Sequence, residues 1–247
     1  APRPSDSEGR AWDLRTLVEG DDAEAVNAAV LTDLENGAAS VVLKGRVLAA
    51  SAPLGRALEG VALELAPVAL DAGIDGPDAA NALAVVAKGS PRAQLRFHMD
   101  PVSAFAEAGG APRSVEEHLS LAANTAARHA GAYPDATFFM ASGRVAHEAG
   151  GSAAQELAFA ASSAVAHVKA AVEARMSVEV ALRGTVVGLS VDAEYFDSLA
   201  KVRAMRLIWA NLARAFGVDA PAVIEAVESE TYDLLILDGE AAPVGGL

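Results

Sequence analysis

The stretch that decides the fold runs from Ala141 to Ala210. It opens with Ser142-Gly143-Arg144-Val145-Ala146-His147-Glu148-Ala149-Gly150-Gly151 and closes with Ala200-Lys201-Val202-Arg203-Ala204-Met205-Arg206-Leu207-Ile208-Trp209-Ala210. Between these ends, Ser152 to Ala174 repeats apolar residues at helical spacing, and Val186 to Val191 is a short β-branched run. Helical spacing resumes from Ala193 to Phe216, and the apolar run Thr137 to Met140 precedes the whole. Strand, helix, strand and helix in that order make two successive strand-to-helix turns. Strands joined by long helical crossovers pair in parallel, so the stretch predicts a parallel sheet covered by helices.

The same unit recurs upstream. Ala23 to Asn36 reads as a helix stopped at Asn36-Gly37, and Ala38 to Leu43 as the buried parallel strand after it. Leu54 to Glu59 is a short helix closed by Gly60, Val61 to Leu65 a strand, Pro77 to Lys88 a helix closed by Gly89, and Gln94 to Met99 a strand. Ser114-Val115-Glu116-Glu117 has the pattern of a capping box and starts a helix running to about Gly131. A last apolar strand is expected at Leu234 to Leu237, after Glu225-Ala226-Val227. The fold class predicted is α/β, a parallel (β/α) barrel-like fold related to the TIM barrel. The count of about six strands falls short of the eight that close a barrel, so the barrel reads as incomplete or truncated. A partner, a longer chain, or the C-terminal segment closing in another way would each cover the open edges. The domain reading is an N-terminal arm over 1–11, a barrel portion over 12–216, and a C-terminal segment over 217–247 with the last strand.

Composition narrows the function classes. The chain has 247 residues, 52% hydrophobic and 21% charged, enough for a sizeable buried core. Its 33 acidic against 19 basic side chains leave a formal charge of −14, which repels phosphate backbones and anionic lipid, so nucleic acid is not an expected partner. The absence of cysteine excludes disulfides, thiolate zinc sites and thiol catalysis. No long apolar run suggests a membrane span, and a cytoplasmic location is expected.

The run S-G-x-x-x-x-E-A-G-x-x-x-x-x-E-L-A from Ser142, followed by A-K-x-R-A-x-R-x-x-W-A from Ala200, resembles the acyl-CoA-binding barrel of the cobalamin-dependent methylmalonyl-CoA mutases. Trp12-Asp13-Leu14-Arg15 is similar to the W-x-[IL]-R that opens that barrel. Leu58-Glu59-Gly60-Val61-Ala62-Leu63 and Ala66-Pro67-Val68-Ala69-Leu70-Asp71-Ala72-Gly73 resemble the small, non-catalytic subunit of the heterodimeric enzymes more than the catalytic one. The resemblance implies a barrel kept as partner to a catalytic mutase subunit, with adenosylcobalamin carried by that subunit and none bound by this chain. The alternatives of self-association, and of acyl-CoA as a ligand of this chain, stay open.

Active members of the family place a carbonyl-polarising histidine in the turn after S-G, where this chain has Val145. The Tyr-containing segment that follows W-x-[IL]-R is replaced by Thr16-Leu17-Val18-Glu19-Gly20. No catalytic residue is therefore assigned. The candidates for substrate contact are Ser142, Arg144 and His147 at the strand end, with Arg203 on the helix that carries Trp209. Under the alternative reading, an acyl-CoA-binding isomerase with a rearranged site, these four would form the pocket. For His147 the structural reading, capping or solvating the turn, is preferred. His147-x-x-Gly150 is similar to a cobalt-ligating D-x-H-x-x-G loop, but Val145 stands where its aspartate would be. No metal ligands are assigned, because the five histidines are scattered singly. Gly150-Gly151 is expected to form a tight turn. Lys201, Arg203 and Arg206 read as a basic stripe on the helix that carries Trp209, able to meet an acyl-CoA phosphate or, the preferred reading, to salt-bridge Glu194 and Asp197. Trp209 is expected to pack inside on the face shared with Leu199, Val202 and Met205.

Overall fold

The computed structural model describes residues 13–90 and 92–228. The expected arm, Trp12, and the expected strand at Leu234 to Leu237 lie outside the described residues. The chain forms two compact units, one ending its main segment at Met99 and including His129–Ala136, the other made of Asp100–Arg128 and the residues from Thr137 onward.

The first unit contains β1 (Arg15–Glu19), α1 (Ala23–Glu35), β2 (Ser40–Lys44), α2 (Ser51–Ala57), β3 (Val68–Asp71), α3 (Gly76–Val86) and β4 (Leu95–Met99). Its strands pair in parallel and in chain order, with Arg15 opposite Ser40, Val41 opposite Val68 and Val68 opposite Leu95. Helix α1 starts where Asp22 accepts the amides of Glu24 and Ala25, at 3.1 and 2.8 Å, satisfying donors the first turn leaves open. It stops at Asn36, followed by Gly37 at φ 106°, as its sequence predicts. At the ends of β1 and β2 the chain comes so close that a Cβ on Gly45 would stand 2.4 Å from the Gly20 carbonyl oxygen, so only glycine fits.

One strand is displaced from its expected place. Val61 to Leu65 is irregular and turn-forming, with Leu65 80% exposed, while β3 begins at Val68. Pro67 explains the choice: its carbonyl accepts the Val41 amide at 3.1 Å, and its missing N–H is harmless just before a strand. Val68, Ala69 and Leu70 are all buried, the pattern of a strand covered on both faces.

The second unit contains α4 (Pro101–Ala108), α5 (Val115–Ala130, its last two residues counted with the first unit), β5 (Thr137–Ser142), α6 (Arg144–Glu148) and α7 (Ala153–Glu173). It continues with α8 (Val178–Arg183), β6 (Thr185–Val191), α9 (Tyr195–Ala215) and β7 (Ile224–Glu228). Phe139 lies opposite Thr185, and Val187 opposite Ile224, again in parallel. The expected capping box of α5 is present, the Ser114 amide donating to Glu117 Oε2 at 2.9 Å and the Glu117 amide to Ser114 Oγ at 3.3 Å. Trp209 is buried on α9, and its indole N–H donates to the Ala220 carbonyl at 3.1 Å. Its buried neighbours on the helix are Met205 and Lys201, whereas Leu199 is 42% exposed, a correction to the expected apolar face.

Within each unit the strands run parallel in chain order and alternate with helices. The class is α/β, an incomplete (β/α) barrel, as predicted. The strands β1 and β7 carry no strand assignment in the sequence reading. Each has a single strand neighbour among the described residues, β2 and β6 respectively.

Candidate functional site

Strand β5 ends at Ser142, and the turn through Gly143 leads into α6. A Cβ on Gly143 would stand 2.7 Å from both the Cγ and the carbonyl oxygen of Glu156, so glycine here lets the first turns of α7 pack against the strand end. The Gly150-Gly151 pair closes a tight turn as expected. Gly150 donates its amide to the His147 carbonyl and Gly151 to that of Ala146, both at 2.8 Å, which leaves neither amide for a phosphate. Helix α7 then starts with a full capping box between Ser152 and Gln155.

Beneath the turn lies a charged cluster that the sequence reading missed. Glu156 is fully buried, and its carboxylate accepts the Lys201 ammonium at 2.6 Å and the Ser190 amide at 2.6 Å. His147 joins it, with Nδ1 3.5 Å from Glu156 Oε2 and Nε2 4.0 Å from Asp192 Oδ2. Asp192 in turn accepts from Ser198 Oγ at 3.2 Å. The cluster ties the last turn of α6 and the first turns of α7 and α9 to the end of β6. Helical periodicity carried the signal, because Lys201, Met205 and Trp209 recur every four residues and all three are buried.

A second polar group holds the end of β5 from the other side. Asp100 accepts the Ser142 amide at 2.8 Å and the Ser103 hydroxyl at 2.7 Å, and the same hydroxyl lies 3.0 Å from the Ser142 carbonyl. Ser163 Oγ is 3.5 Å from Asp100 Oδ1, and His167 Nε2 is 3.6 Å from it. Burial pushes the Asp100 carboxyl up to about 6 against the opposing bonds from Ser103, Ser142 and Ser163, and burial pushes the His167 imidazole down to about 3. In the first unit, His98 ends β4 at φ 47°, and burial followed by the charges of Arg15 and Arg96 holds its imidazole well below its ordinary value.

Of the four candidate residues, Ser142, Arg144 and His147 follow one another along the end of β5 and α6, and Arg203 stands apart on α9. Ser142 and Arg144 stay together, the Arg144 amide donating to Ser142 Oγ at 3.3 Å. His147 turns into the Glu156 cluster instead of solvating the turn. Arg203 is exposed on α9, where Lys201 provides the cation that reaches the cluster. Neither Arg203 nor Arg206 pairs with Glu194 or Asp197, so the expected surface bridges do not form; among the described residues the ion pair from α9 is Lys201 with Glu156. None of the four lines the cleft of about 420 Å³ in the first unit, bounded by Glu64, Arg92 and Arg96, or the groove of about 280 Å³ between α5 and α7. Among the described residues no three His, Cys, Asp or Glu side chains gather to hold a metal ion, and no helix is long and apolar enough to cross a membrane.

The family model for methylmalonyl-CoA mutase matches residues 39–231. The chain is 36% identical over 216 residues to the methylmalonyl-CoA mutase small subunit of Streptomyces virginiae, covering 85% of this chain and 34% of that protein. It is 34% identical over 213 residues to the probable methylmalonyl-CoA mutase small subunit of Mycobacterium tuberculosis (strain ATCC 25618 / H37Rv), covering 83% and 34%. The small subunit from Propionibacterium freudenreichii subsp. shermanii is 30% identical over 214 residues, covering 85% and 33%. The chain thus spans about a third of the length of the curated relatives it matches.

Proposed function

Because the chain belongs to the methylmalonyl-CoA mutase family, we propose that it is a small-subunit-like, non-catalytic member that stabilises a catalytic mutase chain interconverting methylmalonyl-CoA and succinyl-CoA. The observation that carries this reading is the Ser142–Gly143 turn. Val145 stands where the family resemblance places the carbonyl-polarising histidine, and valine has no donor for a developing oxyanion. The next imidazole along the chain, His147, is directed at two carboxylates.

The cofactor that the family implies does not fit the described residues. A cobalt ligand is an imidazole with one accessible nitrogen, its other ring nitrogen held by a second-shell acceptor. His147 has a carboxylate at each nitrogen, His167 is fully buried, and His129 lies 2.9 Å from Asn81 Oδ1 through Nε2. His118 is buried on α5, and His98 is buried at the end of β4. Adenosylcobalamin is accordingly assigned to the partner chain.

The test supplies the purified chain and its Val145→His variant with adenosylcobalamin and methylmalonyl-CoA, and follows succinyl-CoA together with the cobalamin spectrum. Neither protein is expected to exceed the protein-free control. Turnover by the unaltered chain would overturn the reading and favour an acyl-CoA isomerase built on Ser142, Arg144, His147 and Arg203.

A further inference from the structure

We propose that Asp100 and His167 share one proton inside the second unit, and that this proton sets how firmly the end of β5 is held, making the Ser142–Gly143 turn responsive to pH. The inference is independent of the catalytic reading above.

Among the described residues, a small set of groups from α4, β5 and α7 meets Asp100. Asp100 caps the first turn of α4, its Oδ1 accepting the Ser103 amide at 3.1 Å, and its Oδ2 holds the amide that ends β5. The groups around it are Ser103 from α4, the Ser142 amide from β5, and Ser163 and His167 from α7. His167 is the titratable member of that set. Its ring is fully buried and stacked on Phe139 of β5, with centroids 5.4 Å apart and planes 7° from parallel. Neither ring nitrogen of His167 has a hydrogen-bond partner. The next charged groups near α7, Glu156, Lys201 and His147, are engaged with one another.

The two protonation states differ in what they offer β5. With Asp100 ionised, both oxygens accept, and the charge strengthens the bond to the Ser142 amide. With Asp100 protonated, Oδ2 remains an acceptor but loses its charge, while a proton on Oδ1 faces Nε2 of His167. A neutral imidazole can accept that proton in a hydrogen bond, satisfying a nitrogen otherwise unpaired in the core. Burial favours the neutral form of both groups, so the protonated acid and the neutral base coexist near pH 6. The turn released or gripped by this exchange carries Arg144 and His147.

The experiment is an NMR titration of the full chain from pH 7.5 to 4.5, following the Asp100 carboxyl carbon and the Ser142 amide. Both are expected to titrate with one midpoint near pH 6. The Ser142 transition should vanish in Asp100→Asn, which keeps an acceptor oxygen for the amide. In His167→Phe the Asp100 midpoint should fall, because the protonated acid loses its acceptor. The unaltered chain tests the proposal even where a variant fails to fold. An Asp100 midpoint near that of ordinary aspartate, or a Ser142 amide that does not move between pH 5 and 7, would overturn it. An unchanged Asp100 midpoint in His167→Phe would remove His167 from the pair and overturn the shared proton.

Discussion

At the scale of single residues, the charged interior of the second unit carries the sharpest energetic consequences. Lys201 and Glu156 have side-chain exposures of 4% and 0%, so the pair has given up its water entirely and each charge depends on the other. Removing one partner of such a pair typically costs about 3–5 kcal/mol, because the survivor is left charged in the core. Lys201→Met is expected to lose stability in that range by urea unfolding. Adding Glu156→Gln should recover part of the loss, and a single variant within about 0.5 kcal/mol of the parent would place the pair in water instead. His167 gives a pH signature. Its folded-state value near 3, against 6.5, means that the native chain binds fewer protons than the unfolded one between those limits, so this contribution to stability is lost as pH falls. Asp100 acts in the opposite sense: its value near 6, against 3.8, lets the native state hold a proton that the unfolded chain releases, a gain as pH falls through that window. His167→Phe removes the first effect entirely and only diminishes the second, by lowering the Asp100 midpoint. Between pH 6.5 and 4 the variant should lose less stability, relative to its own value at pH 7, than the parent; equal losses would show that His167 is not held neutral.

At the scale of elements, what was legible depended on whether local signals agreed. Helix α1 was readable by its period and its stop at Asn36-Gly37, α5 by the Ser114 capping box, and α7 by its long apolar period from Ser152. Strand β3 was misplaced because Val61-Ala62-Leu63 and Val68-Ala69-Leu70 are equally apolar over three residues, and only the register with β2 and β4 distinguishes them. Strands β1 and β7 escaped notice because Arg15–Glu19 and Ile224–Glu228 are five-residue runs ending in charge, weak alone and stabilised by pairing. The face of α9 was half read. Trp209 was expected inside and is 1% exposed, but Lys201 looked like part of a surface stripe because a buried cation is recognisable only once its carboxylate is in view. Truncating the indole should leave a large cavity and an unmet Ala220 carbonyl, so Trp209→Ala is expected to cost about 3–5 kcal/mol. Thermal or urea unfolding measures it, and a loss under about 1 kcal/mol would contradict the packing described.

At the scale of the whole molecule, the chain belongs to the methylmalonyl-CoA mutase family, and the proposal to be tested is that it works in a complex with a catalytic chain. Among the described residues β1 has β2 as its strand neighbour and β7 has β6. On α9, Phe196 is 82% and Leu207 70% exposed, more apolar surface than an isolated helix face ordinarily presents to water. The candidate site was legible only in part: Val145 and the glycine turn could be read from the motif, whereas the redirection of His147 toward Glu156 and Asp192 needed three elements folded together. The measurement that bears most directly on the account is affinity purification of the protein from its native source. The associated chain would be identified by mass, and mutase activity measured on both the complex and the separated components. The account predicts a stoichiometric complex with a cobalamin-containing mutase chain, with turnover residing in that chain and its stability falling when the two are separated. Recovery of this protein alone, turning over methylmalonyl-CoA without a second chain, would contradict it.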